Sequence, residues 1–143
     1  MTGQRGGHQP AWVRYAAQDA SARCIAEWAT QQPQVRRVLH PAVAGSPGHE
    51  HWKRTCRSAA GLLSLEMDPK FDVPSVDAFV DRLTRFRIGW SWGGPVSLAV
   101  PYRTRLMRKL ASPIEGTVVR LCSGLESPQD LIEDLSRSMA QLV

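Results

Sequence analysis

The sequence predicts an α+β domain: a small mixed or antiparallel sheet with helices packed on one face. Two observations lead there. Short apolar runs of strand length, VRRVL, LLSLEM and VVRLC, lie between helical segments at both ends of the chain. The elements then follow as helix, strand, helix, strand, helix, three strands and a final helix, an order suited to one covered sheet.

Ala11 to Gln32 reads as a helix with Val13, Ala17, Ala20, Cys24 and Trp28 on one stripe, ended by Pro33. Val35 to Leu39 reads as a short strand closed by His40-Pro41. A turn-rich stretch, Ala42 to Gly48, leads to a short helical segment near His49 to Cys56. Leu62 to Met67 has the apolar density of a buried strand. Ser75 caps a helix running to about Leu83, with Val76, Phe79, Val80 and Leu83 inward. Phe86 to Ile88 is a short extended piece. Ser97 to Tyr102 and Thr117 to Cys122 read as strands, the second with the mixed pattern of a covered sheet. In the last helix Ser127 is the N-cap, Pro128 the first helical residue, and Asp130 lies in the turn that favours negative charge. Leu131, Ile132, Leu135, Met139 and Leu142 form its apolar face. Residues 103–116 are basic and irregular, and residues 1–10 are expected to be a disordered start.

The chain has 143 residues, 43% hydrophobic and 22% charged, which suits one globular domain with a sizeable core. No apolar run approaches the roughly 20 residues of a membrane span, and MTGQRGGHQP has no apolar core of a secretory signal. The net charge of +5 lies wholly in residues 1–60, which hold eight Lys/Arg against three Asp/Glu. The basic residues are scattered, without aromatic interleaving or finger spacing, so neither nucleic acid nor membrane is expected as a partner. Three cysteines without a CxxC point to free thiols in a reducing cytoplasm.

Few residues stand out chemically. Arg120 lies between Val118, Val119 and Leu121, where a cation needs an anion, either an internal acid such as Glu126 or the carboxylate of a ligand. Trp90 and Trp92 bracket Ser91 and precede Gly93-Gly94, a pair that lets the backbone turn sharply. Trp90 is expected in the core, and Trp92 either there or walling a pocket. His49-Glu50-His51 has ligand spacing but no third ligand nearby, so no metal is expected. Cys122 reads as a packed thiol rather than a nucleophile.

VRRVLHPAVAGSPGHEHWKR, GLLSLEM, SWGG and VVRLCSGLESPQDLIEDL, in that order, closely resemble the C-terminal domain of pyridoxal-phosphate enzymes of Cys/Met metabolism, with cystathionine β-lyase the nearest pattern. The strongest marks are Gly45 to Arg54, Ser91 to Gly94 and Val119 to Leu135, and the match runs from about Trp12 onward. The resemblance implies the small domain of a fold-type I enzyme over residues 11–143, with the large cofactor-binding domain absent. It assigns Arg120 to the α-carboxylate of a sulfur amino acid such as cystathionine, with Trp92 and Ser91 beside it. An arginine suits that task because its planar fork donates two parallel hydrogen bonds and keeps its charge.

The family's cofactor is pyridoxal 5'-phosphate, held through a lysine in a Ser-x-Thr-Lys setting. Lys53, Lys70 and Lys109 have no such context, and the groups that hold the phosphate and ring nitrogen have no counterpart here. Where the family has an aromatic and a glutamate after SWGG, this chain has Pro95 and Val96, and Cys122-Ser123 also departs from the pattern. The implied protein is therefore a substrate-binding domain without a catalytic residue, inactive alone. Its partner would be a complementary large-domain chain or a second copy. The alternatives are a non-enzymatic binding module or a degraded remnant of such an enzyme.

Overall fold

β5 (Val118–Cys122) is the centre of a five-stranded sheet in the computed structural model, which describes residues 10–107, 109 and 113–143. It is flanked by β2 (Leu62–Met67) and β4 (Leu98–Tyr102), with β1 (Val35–Leu39) and the two-residue β3 (Arg87–Ile88) outside them, in the order β1-β2-β5-β4-β3. All pairings are antiparallel except β3 with β4, so the sheet is mixed. The expected disordered start at residues 1–9 lies outside the described residues, as do residues 108 and 110–112 of the irregular stretch.

Strand alternation divides the sheet into two unlike faces. Leu63, Leu65, Met67, Ala99, Val119 and Leu121 join the core beneath α1 (Ala11–Ala29), α3 (Val73–Asp81) and α5 (Pro128–Met139). The opposite face carries three cross-strand rows: Leu62, Cys122 and Leu98; Ser64, Arg120 and Val100; Glu66, Val118 and Tyr102. α2 (His49–Thr55) and α4 (Thr104–Met107) are short.

Two local readings need correction. The buried face of α1 is Gln18, Ser21, Ala22, Ile25, Ala26 and Ala29, whereas Ala17, Ala20 and Cys24 are exposed. Small and polar residues face inward here because the helix lies close to the sheet and its polar groups find partners: Gln18 Nε2 donates to Gly94 O at 2.8 Å. Asp72, not Ser75, caps α3, accepting the Ser75 N–H at 2.9 Å, with Pro74 in the first turn. Ser127 is the N-cap residue of α5 and Pro128 opens that helix, both as expected, but the Ser127 hydroxyl contacts Gln129 Oε1 and makes no capping hydrogen bond.

Asp134 on α5 was not singled out by its sequence context, yet it is nearly fully buried and organises the approach to β3. It accepts the N–H groups of Thr84 and Arg85 and the Thr84 hydroxyl, and it pairs with Arg137. Burial alone would raise its carboxyl. The Arg85 and Thr84 donors, with Arg137, outweigh that and hold it below the usual aspartate value. The chain therefore leaves α3 on a fixed path toward residues 88–97.

His40 is buried at the end of β1, with Nδ1 accepting the Ala42 N–H at 3.3 Å and Nε2 unpartnered among the described residues. Desolvation, then the Arg23 cation, depresses its pKa below 6.5, while Asp19 acts weakly in the other direction. Between the depressed folded value and 6.5, the unfolded chain binds more protons. Stability should therefore rise with pH up to about 6.5 and level off above it. Urea midpoints between pH 7.5 and 5.5 should show that slope, and His40→Asn should flatten it. An equal slope in the variant would assign the effect to other groups.

Candidate functional site: an arginine among aromatic rings

Arg120 does not sit in the greasy interior that its neighbours suggest. The pleat sends Val119 and Leu121 to the helices and Arg120 to the opposite face, where it is half-buried. Its guanidinium carbon lies 5.8 Å from the Trp92 ring centroid and 5.5 Å from that of Tyr102. Nη2 donates a long hydrogen bond, 3.5 Å, to the carbonyl of Ser91. Trp90 meets Tyr102 edge-on, with centroids 5.4 Å apart and planes at 87°.

The internal-acid alternative does not occur. Glu126 accepts the Ser97 N–H at 2.9 Å and the Ser97 hydroxyl at 2.7 Å, and Arg120 makes no ion pair among the described residues. A guanidinium has five donors, and the weak bond to Ser91 is the one hydrogen bond that Arg120 makes among the described residues.

The segment carrying Ser91 and Trp92 is tied down at several points. Gly93 adopts φ +75, and its N–H donates to Cys122 Sγ at 3.4 Å. Of the Gly93-Gly94 pair, Gly93 alone uses the left-handed region; Gly94 contributes its carbonyl to Gln18. Pro95 O accepts the Leu125 N–H at 2.8 Å, and the Ser97 hydroxyl accepts the Gly124 N–H at 2.8 Å. A Cβ at Gly124 would stand 2.3 Å from Pro95 O, so the SGLE run needs glycine for two backbones to meet.

The structure thus brings Arg120, Trp92 and Ser91 together, Ser91 through its carbonyl. Trp90 is a correction: it is 65% exposed and not in the core, because β3 ends at Ile88 and the chain leaves the sheet edge there. Trp92 is 63% exposed. Sequence reasoning passed over Tyr102. Its signal was available in strand spacing, since Tyr102 pairs with Val118 and so lies diagonal to Arg120 on the same face. A groove of about 500 Å³ is walled by Trp90 and Tyr102, with Ile88, Leu106 and Asp77 among its other lining residues.

The remaining candidates are occupied elsewhere. His49 Nδ1 lies 2.7 Å from Pro41 O, and His51 Nδ1 lies 2.8 Å from Arg54 Nη2. Among the described residues, no group of three or more His, Cys, Asp or Glu could hold a metal. Cys122 is a packed thiol, and all three cysteines are free. No helix among the described residues is long and apolar enough to cross a membrane.

The site is thus a half-buried arginine without an acid partner among the described residues, set among indole and phenol rings on an α+β sheet. The chain belongs to the Cys/Met-metabolism family of pyridoxal-phosphate-dependent enzymes, whose family model matches residues 7–140. It is 38% identical over 135 residues to a cystathionine beta-lyase of Salmonella typhimurium, covering 92% of this chain and 34% of the relative. It is 33% identical over 138 residues to an L-alanine/L-glutamate racemase of Wolbachia pipientis, covering 95% and 34%. Against the cystathionine beta-lyase of Escherichia coli the identity is 36% over 135 residues, covering 92% and 34%. The chain spans about a third of the length of these curated relatives.

The family uses pyridoxal phosphate, but the residues present do not fit that group. Lys53, Lys70 and Lys109 are all exposed, and none contacts Arg120, Trp92 or Ser91 among the described residues. The Lys70 ammonium instead lies 4.9 Å from the centroid of the neighbouring Phe71 ring. No step through the cofactor falls to these side chains.

Proposed function

We propose that the chain is the substrate-carboxylate-binding, C-terminal domain of a carbon–sulfur β-lyase of the cystathionine β-lyase type. Its ligand is a sulfur amino acid such as cystathionine. The observation that carries this is Arg120, a cation without an acid partner among the described residues, beside Trp92 and the Ser91 carbonyl. A bound cofactor supplies the electron sink in such enzymes. Arg120 binds and orients the α-carboxylate, Trp92 walls the position, and the Ser91 carbonyl holds the guanidinium. No residue here is assigned as base, so a polypeptide of these 143 residues binds without turnover and needs a complementary large domain to react. The free thiols Cys24, Cys56 and Cys122 fit a cytoplasmic setting.

The second reading is a binding module or degraded remnant. The exposed Ile88, Trp90, Trp92, Leu106 and Met107, a large apolar surface for a free domain, favour it. One experiment addresses both readings: an NMR titration of the 143-residue chain with cystathionine, alongside a pyruvate assay with added pyridoxal phosphate. Shifts at Arg120 and Trp92 without pyruvate are expected. Absence of shifts removes the clamp and leaves the remnant, whereas unaided pyruvate release refutes the inactivity.

A further inference from the structure

The Ser91 bond to Arg120 is long, and a single 3.5 Å contact does not fix the plane of a guanidinium. The rings are better placed to do so. Tyr102 and Arg120 occupy diagonal positions on neighbouring strands, two residues apart in register, which is within reach of aromatic and long side chains. The guanidinium carbon lies over both Tyr102 and Trp92, and Trp90 presses edge-on against Tyr102. Aromatic faces attract the cation without accepting strong in-plane hydrogen bonds. A carboxylate in the same place would occupy the donors that a ligand needs, and would have to be displaced.

We propose that Tyr102, buttressed by Trp90, is a positioning residue: with Trp92 it brackets the Arg120 guanidinium and keeps its N–H edge open for a ligand carboxylate. This rests on reading Arg120 as the clamp. Tyr102 does not touch the ligand in this account; it acts through Arg120. The phenol hydroxyl is not required, only the ring face.

The test uses the full chain with Tyr102→Phe, which keeps the ring, and Tyr102→Leu, which removes it. Tyr102→Val, a better strand former, serves if the leucine variant fails to fold. Two readouts are followed: the Arg120 Nε–Hε resonance, which ring currents displace, and the dissociation constant for cystathionine from NMR titration. Tyr102→Leu should move the Arg120 resonance and weaken binding about 3- to 30-fold, the range expected for one cation–π contact. Tyr102→Phe should restore both to near wild type. Wild-type binding that Tyr102→Leu leaves unchanged overturns the positioning role, whatever the spectrum shows. A resonance that stays in place while binding weakens equally in the Phe variant also overturns it, because the hydroxyl would then be responsible. A wild-type chain that binds no amino acid overturns the clamp, and the positioning role falls with it.

Discussion

Arg120→Ala is expected to reduce cystathionine binding by about 30- to 150-fold and to leave the fold standing. The lost interaction is a charge-assisted, bidentate hydrogen bond to a carboxylate, which contributes about 2–3 kcal/mol. The domain itself loses little. Arg120 is half-buried on the face away from the helices; among the described residues it makes one long hydrogen bond, to Ser91, and leaves no buried acid unpaired when removed. A stability change within about 1 kcal/mol follows for such a position. Arg120→Lys should rescue poorly, because an ammonium on a flexible stem neither forms the two parallel bonds nor stacks between rings. NMR titration for affinity and urea unfolding for stability measure the two effects separately. Equal affinity in Arg120→Ala would assign any amino-acid binding to another part of the chain. A collapse in stability would make Arg120 a structural residue.

The strands were legible because their residues are apolar over strand length and bounded by turn formers, as Leu62–Met67 is by Gly61 and Pro69. The site was legible only as a set of names in the SWGG and VRL runs. What those runs do not encode locally is side-chain direction. Arg120 looks buried when read against its chain neighbours, but the pleat places them on the other face, and its true neighbours are Ser64, Val100 and Tyr102 from other strands. Trp90 looked like core because an indole is costly to expose; the extended piece does end at Ile88 as expected, but nothing nearby in sequence shows that the chain then leaves the sheet edge with the indole outside. The α1 stripe failed because burial there is decided by close approach and by polar contacts such as Gln18 with Gly94, which a count of apolar residues misses.

Glu66 should be costly to truncate, and it lies on the same face as the site. It is fully buried in β2, opposite Arg37 of β1. Oε2 accepts from Arg37 at 2.7 and 2.9 Å; Oε1 accepts the N–H of Glu115 at 2.9 Å and of Gly116 at 3.4 Å; Arg36 lies 3.7 Å away and also pairs with Glu115. The segment it holds runs so close to β2 that a Cβ at Gly116 would stand 1.9 Å from Met67 O. This latch ties the chain to β2 two residues before Val118, and so it favours the β2–β5 register that puts Arg120 opposite Ser64. Glu66→Ala strands the buried amides and the Arg37 cation, at a cost of about 3–5 kcal/mol. Glu66→Gln keeps an acceptor for the amides and should cost less, about 1–3 kcal/mol. Burial would raise this carboxyl, but the Glu115 N–H, Arg37 and the Gly116 N–H outweigh it and hold the pKa below 4.5. Between the folded value and 4.5 the unfolded chain therefore binds more protons. The contribution of Glu66 is complete above 4.5 and is lost as pH falls through the folded value. Urea midpoints from pH 6 to pH 3 should fall more steeply for wild type than for Glu66→Gln. Parallel curves, or a loss below 1 kcal/mol in Glu66→Ala, would show that Arg36 and Arg37 find other partners and that the register of β5 is held by its strand neighbours alone.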